Sequence, residues 1–165
     1  MSGEAVTGPD REALSWELAG EVRALQSAVE AVDAAAATRL GINQTDLRCL
    51  DVLLQRESAA PGELGAALGL TTGSVTAMLD RLDKLGYLTR EPDPGDRRRS
   101  VVRASERTRQ AAEEIYRPLA QEAHAGLQRY SAEELGLLLD FVRGSREVQE
   151  RHVSRIRGRA GLPGA

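Results

Sequence analysis

Residues 68–108 read LGLTTGSVTAMLDRLDKLGYLTREPDPGDRRRSVVRASERT, and this stretch decides the fold. Thr71 is suited to cap a helix over residues 72–85, in which Val75, Met78, Leu79, Leu82 and Leu85 recur at helical spacing along one side. Gly86 stops that helix. Residues 87–91 are short and β-prone. Asp93-Pro94-Gly95-Asp96 is a turn signal, because proline presets φ and glycine accepts positive φ. Arg97, Arg98 and Arg99 follow, and residues 100–103 can pair back as a second strand. The stretch predicts a helix leading into a β-hairpin with a charged tip.

Upstream, residues 43–55 place Leu47, Leu50, Leu53 and Leu54 on one face, with Asn43 as cap. Pro61 suits the first turn of a short helix reaching Leu68, and Gly69-Leu70 makes the turn into the next helix. Three helices joined by short turns give a helix-turn-helix. Further out, residues 10–39 carry Leu14, Leu18, Val22, Leu25, Val29, Val32 and Ala36 at spacings of three and four. That narrow stripe on a long helix, ended by Gly41, needs a partner surface within the chain or on a second copy. Beyond the hairpin, helices resume near Ser105 with Ala112, Ile115, Leu119, Ala123 and Leu127 in phase. Ser131 and Glu134 fit a capping box, and a last helix carries Leu135, Leu138, Val142, Val148 and Ile156, ending before Gly158.

The expected organisation is therefore a flexible tail at 1–9, helical regions at 10–40 and 105–158, a helix-turn-helix lobe with its hairpin at 41–104, and a second tail at 159–165. The class is mainly α with a small β-hairpin. A helix-turn-helix followed by an arginine-tipped hairpin is a winged helix, and its shape matches duplex DNA. A helix fits the major groove, while arginines enter the narrower, more electronegative minor groove.

The 165 residues are 41% hydrophobic and 28% charged, enough for a real core and inconsistent with wholesale disorder. No apolar run approaches the roughly 20 residues that span a bilayer, and no signal-peptide core follows the polar N-terminus, so the expectation is a cytoplasmic protein without a membrane. One cysteine excludes an internal disulfide framework and a zinc ribbon, and two histidines leave little for a metal site. No metal cluster, phosphate loop or nucleophile constellation points to an enzyme, and no cofactor is expected. The net charge of −3 speaks against nucleic acid until it is divided. Residues 71–109 hold nine basic side chains against six acidic ones, a net of +3, which leaves −6 elsewhere.

Residues 68–108, with their recognition-helix pattern, the LDRL…LGYL exit and the DPxDRR hairpin, resemble the MarR family (multiple antibiotic resistance regulators). The resemblance covers residues 10–157. It implies a homodimer whose first and last helices interlock, with two winged helices reading a palindromic operator in double-stranded DNA. The family's base-reading helix then corresponds to Thr72, Gly73, Ser74, Thr76 and Ala77. Its wing arginine corresponds to Arg98, held by Asp96, with Arg97 and Arg99 serving phosphates or the hairpin. Ala77 stands where many relatives carry a long basic residue, so readout here rests on hydroxyls, thymine-methyl contacts and the wing. Arg81 is either structural, paired with Asp80 or Asp83, or a phosphate contact. The implied function is a repressor relieved by a small-molecule effector. The alternatives are a constitutive DNA-binding regulator and a winged helix used as a protein-interaction module. Trp16 is a candidate for stacking on an effector or for the dimer interface. Cys49, within the second helix, reads as a buried structural cysteine in preference to a redox switch.

Overall fold

Gly41 turns the chain out of its first long helix, at φ +68°, a conformation that glycine reaches without the Cβ penalty. That helix, α1 (Arg11–Leu40), starts at Asp10, whose Oδ1 accepts from Glu12 N at 3.2 Å. The computed structural model describes residues 10–92, 95 and 100–159. The chain divides into two compact units, one reaching Ile115 and the other running from Tyr116.

In the first unit, α2 (Gln44–Gln55) opens on a reciprocal cap. Asp46 N donates to Asn43 Oδ1 at 2.8 Å, and Asn43 N donates to Asp46 Oδ2 at 3.3 Å. α3 (Pro61–Leu68) begins with proline, and Glu63 reaches back to accept from Ala60 N at 2.9 Å. α4 (Thr72–Lys84) is capped by Thr71, whose Oγ1 accepts from Ser74 N at 3.3 Å. Gly65 lets α3 and α4 approach closely, since a Cβ there would stand 3.2 Å from Val75 Cγ2 and 3.3 Å from Leu70 O. Gly86, at φ +74°, turns α4 into β1 (Leu88–Pro92). β1 pairs antiparallel with β2 (Ser100–Ala104) in the register Leu88 to Ala104, Arg90 to Val102 and Pro92 to Ser100. Ala59 adds a single bridge on the far side of Val102, with bonds of 3.0 and 2.9 Å.

Cys49, Leu50, Leu53, Leu64, Met78, Leu79, Leu82, Tyr87, Leu88 and Val102 form the core of this unit. It lies between the three short helices and the hairpin. Only the end of α1 is buried, at Ala36 and Ala37; the stripe above it stays exposed, Leu25 at 65% and Val29 at 52%. α5 (Glu106–Leu127) follows the hairpin and contains Pro118, which supplies no N–H to the helix ladder.

The second unit holds the end of α5 and α6 (Ala132–Arg159). Ser131 and Glu134 close the expected capping box at 3.2 and 2.8 Å. α6 does not end before Gly158; it runs through to Arg159. A lone glycine in a helix costs only about 1 kcal/mol and does not by itself terminate one. Leu137, Val142, Val148 and Ile156 are exposed along it.

Candidate nucleic-acid interface

The packing of α4 decides which of its residues face outward. Val75, Met78, Leu79 and Leu82 are buried against the core, so Thr72, Gly73, Ser74, Thr76 and Ala77 are left on the exposed side. The hydroxyls there are already oriented. Thr71 and Ser74 share a hydrogen bond of 2.9 Å, and Thr76 Oγ1 donates to Thr72 O at 3.1 Å, which leaves the Thr76 oxygen as an acceptor. The N–H groups of the first turn and the positive end of the helix dipole point the same way, an arrangement suited to an anion.

The basic residues behind this face are largely engaged within the fold. Arg81 does not pair with Asp80 or Asp83. Its Nε and Nη2 donate to Asp46 Oδ2 and Oδ1 at 2.8 and 2.5 Å, and Asp46 is fully buried. These bonds hold Arg81 charged further up the pH scale than an ordinary arginine, against the opposing effect of desolvation. Asp80 and Asp83 instead receive Arg90 of β1, Nη2 on Asp80 and Nε 3.4 Å from Asp83 Oδ2. Arg103 of β2 bonds Glu91 Oε2 at 3.0 Å and the Glu57 carbonyl at 2.8 Å. Arg107 bonds the Leu85 carbonyl at 2.8 Å and lies 4.7 Å from the centroid of the Tyr87 ring. Counting charges over 71–109 thus overstates what these arginines can offer a ligand. Asp96, Arg97, Arg98 and Arg99, expected at the hairpin tip, lie outside the described residues.

Tyr87 fastens the hairpin to both of its neighbours. Its hydroxyl donates to the Leu40 carbonyl of α1 at 2.8 Å, and its own carbonyl accepts from Ser105 N at 3.1 Å and from Thr108 Oγ1. Neither Tyr87 nor Arg90 stood out as functional in the sequence, and Asp46 carried only its capping position as a signal.

Cys49 is fully buried, and burial together with the neighbouring Asp46 carboxylate pushes its thiol up to about 12. Trp16 is 73% exposed on α1. Among the described residues no cluster of His, Cys, Asp and Glu could hold a metal ion, and no helix is long and apolar enough to cross a membrane.

A helix-turn-helix whose second helix presents a polar face beside an antiparallel hairpin is a winged helix-turn-helix. The sequence model of the MarR family matches residues 40–99. Over 123 residues the chain is 40% identical to the uncharacterized HTH-type transcriptional regulator YcgE of Bacillus subtilis, covering 74% of this chain and 80% of that protein. A second Bacillus subtilis protein of the same description, YkoM, is 32% identical over 76 residues, 46% of this chain and 49% of its own. Among solved structures, the transcriptional regulator Tm0710 of Thermotoga maritima superposes with a TM-score of 0.60 at 24% identity, over 84% of this chain and 98% of that one. Wild-type MarR of E. coli in its apo form gives 0.56 at 22%, over 78% and 95%. The chain belongs to the MarR family of transcriptional regulators.

Proposed function

We propose that this chain is a sequence-specific DNA-binding repressor that works as a homodimer and releases its operator when a small-molecule effector binds. The observation that carries the reading is the exposed face of α4, where Thr72, Gly73, Ser74, Thr76 and Ala77 stand clear of a rigid core at the positive end of the helix. In this reading residues 41–104 are the DNA-binding lobe. The α4 face enters the major groove, Arg98 enters the minor groove with Asp96 holding its guanidinium, and Arg97, Arg99 and the remaining donors of Arg81 meet phosphates. Residues 10–40 and 105–158 form the dimerisation region. The apolar side chains exposed along α1 and, separately, along α6 support this, because rows of that length are seldom left to water. Trp16 belongs to the interface or to the effector site. The setting is cytoplasmic, and the role is regulatory with no catalytic step.

An effector would act by favouring a spacing of the two α4 helices that no longer fits half-sites about 34–36 Å apart. A gel shift on the intergenic DNA upstream of the gene tests the DNA half of the proposal. Wild type is expected to retard that fragment in preference to random duplex at physiological salt, and Arg98→Ala to lose the preference. Equal retardation of both duplexes by wild type would rule out specific regulation.

A further inference from the structure

Asp80 lies three residues after Ala77 and four after Thr76, so it shares the face that carries the candidate base-reading residues. Asp83 follows one turn further on. Two carboxylates on that side of α4 would meet the phosphates of a bound duplex as like charges, and the helix supplies only Arg81 and Lys84 near them. Arg81 is committed to Asp46. The charge that answers both carboxylates comes from a different element, since Arg90 on β1 reaches Asp80 through Nη2 and Asp83 through Nε at 3.4 Å. Nη2 donates a hydrogen bond to Asp80 and Nε makes an ion-pair contact with Asp83, so one guanidinium is held against both carboxylates of α4. The backbone that carries it is fixed as well, by the ladder opposite Val102, a fully buried residue. The three side chains remain 38%, 51% and 49% exposed, and so lie where solvent and a polyanion can reach them.

We infer that Arg90 is a positioning residue for DNA binding, masking the carboxylates of Asp80 and Asp83 on the recognition helix and setting the base of the hairpin against that helix. The inference rests on the proposal that α4 faces DNA. Arg90 acts through the two aspartates and does not itself touch a base. Its loss would expose two negative charges at the interface and free the hairpin to change its angle. Removing the carboxylates as well would undo the first effect.

The test is a fluorescence-anisotropy titration of the full chain against the duplex that wild type protects, repeated across a salt series. Arg90→Gln is expected to weaken binding by about tenfold at low salt, with a shallower dependence of log K on log salt, because the interface has lost one effective cation. The triple variant Arg90→Gln/Asp80→Asn/Asp83→Asn is expected to recover most of that loss. A defect of less than about threefold in Arg90→Gln, or a triple variant as weak as Arg90→Gln, overturns the masking role; the second result would mean that the loss comes from a direct contact or from the hairpin angle and not from exposed carboxylates. Asp80→Asn/Asp83→Asn with Arg90 intact keeps the test decisive if Arg90→Gln fails to fold. The amide oxygens of that variant can still accept from Arg90 and keep the hairpin set while two negative charges are removed, so it is expected to bind tighter than wild type, and weaker binding overturns the inference. A wild type that binds no duplex even at low salt overturns the proposed function together with this inference, whereas binding that ignores Arg90 overturns the inference alone.

Discussion

Asp46, in the first turn of α2, holds Arg81 of α4 through two hydrogen bonds of 2.8 and 2.5 Å while the same carboxylate closes the cap of its own helix on Asn43 N. One buried side chain thus ties the start of α2 to the second half of the candidate recognition helix, 35 positions away in the chain.

Removing Arg81 would leave the Asp46 carboxylate buried with only its capping bond. Breaking a fully buried pair from one side typically costs 3–5 kcal/mol, and the 44% exposure of the Arg81 side chain lowers that, so Arg81→Ala is expected to cost about 2–3 kcal/mol. Urea denaturation would read this as a lower midpoint at unchanged m. A loss under about 0.5 kcal/mol, the size of an ordinary surface substitution, would show that the pair contributes nothing to stability.

Cys49 should behave as an inert thiol. With its pKa near 12 against an ordinary 9.0, the thiolate fraction at pH 8 falls by roughly two to three orders of magnitude. A disulfide reagent is expected to label native protein at least about a hundredfold more slowly than protein unfolded in guanidinium. The raised pKa also means that the folded state holds its proton more tightly than the unfolded one. The associated stability is complete below pH 9 and is lost as pH rises from there toward 12. Rapid native labelling at pH 8 would contradict this placement of the thiol.

Asp51 of α2 has its carboxyl pushed above the ordinary 3.8, first by burial and then by the like charge of Asp33 on α1. A carboxyl shifted upward favours the fold most when protonated, so its contribution is full below pH 3.8 and is lost as pH rises through the shifted value. Asp51→Asn is expected to raise the melting temperature at pH 7, with the gain disappearing below pH 4. A gain that is the same at both pH values, or a loss at pH 7, would rule out this explanation.

The parts of the fold that could be read from the sequence are those set by neighbours along the chain. Asn43 and Thr71 cap the helices that follow them, Gly41 and Gly86 adopt positive φ where helices end, and Ser131 and Glu134 bond each other three residues apart. Each is a local choice of conformation that depends little on the rest of the molecule. The ion pairs were less accessible. Asp80 and Asp83 are one and two positions from Arg81, and residues so spaced on a helix point in different directions, so proximity in sequence was misleading. Arg81 and Arg90 find their carboxylates only once α2, α4 and β1 have packed, at separations of 35 and 10 residues. The exposed face of α4 followed from the spacing of Val75, Met78, Leu79 and Leu82 alone.

The bond from the Tyr87 hydroxyl to the Leu40 carbonyl joins residues 47 positions apart and closes a loop containing all three short helices. Such a contact forms only after those helices have assembled, because the entropy of closing a long loop is spent before the bond is made. It should therefore be absent from the folding transition state. Tyr87→Phe, which removes only this hydroxyl, is expected to speed unfolding about threefold to tenfold and leave the folding rate nearly unchanged, as stopped-flow kinetics across a denaturant series would show. The phenol that fastens α1 to the hairpin would then govern how long the native state lasts, and have little influence on how fast it is reached.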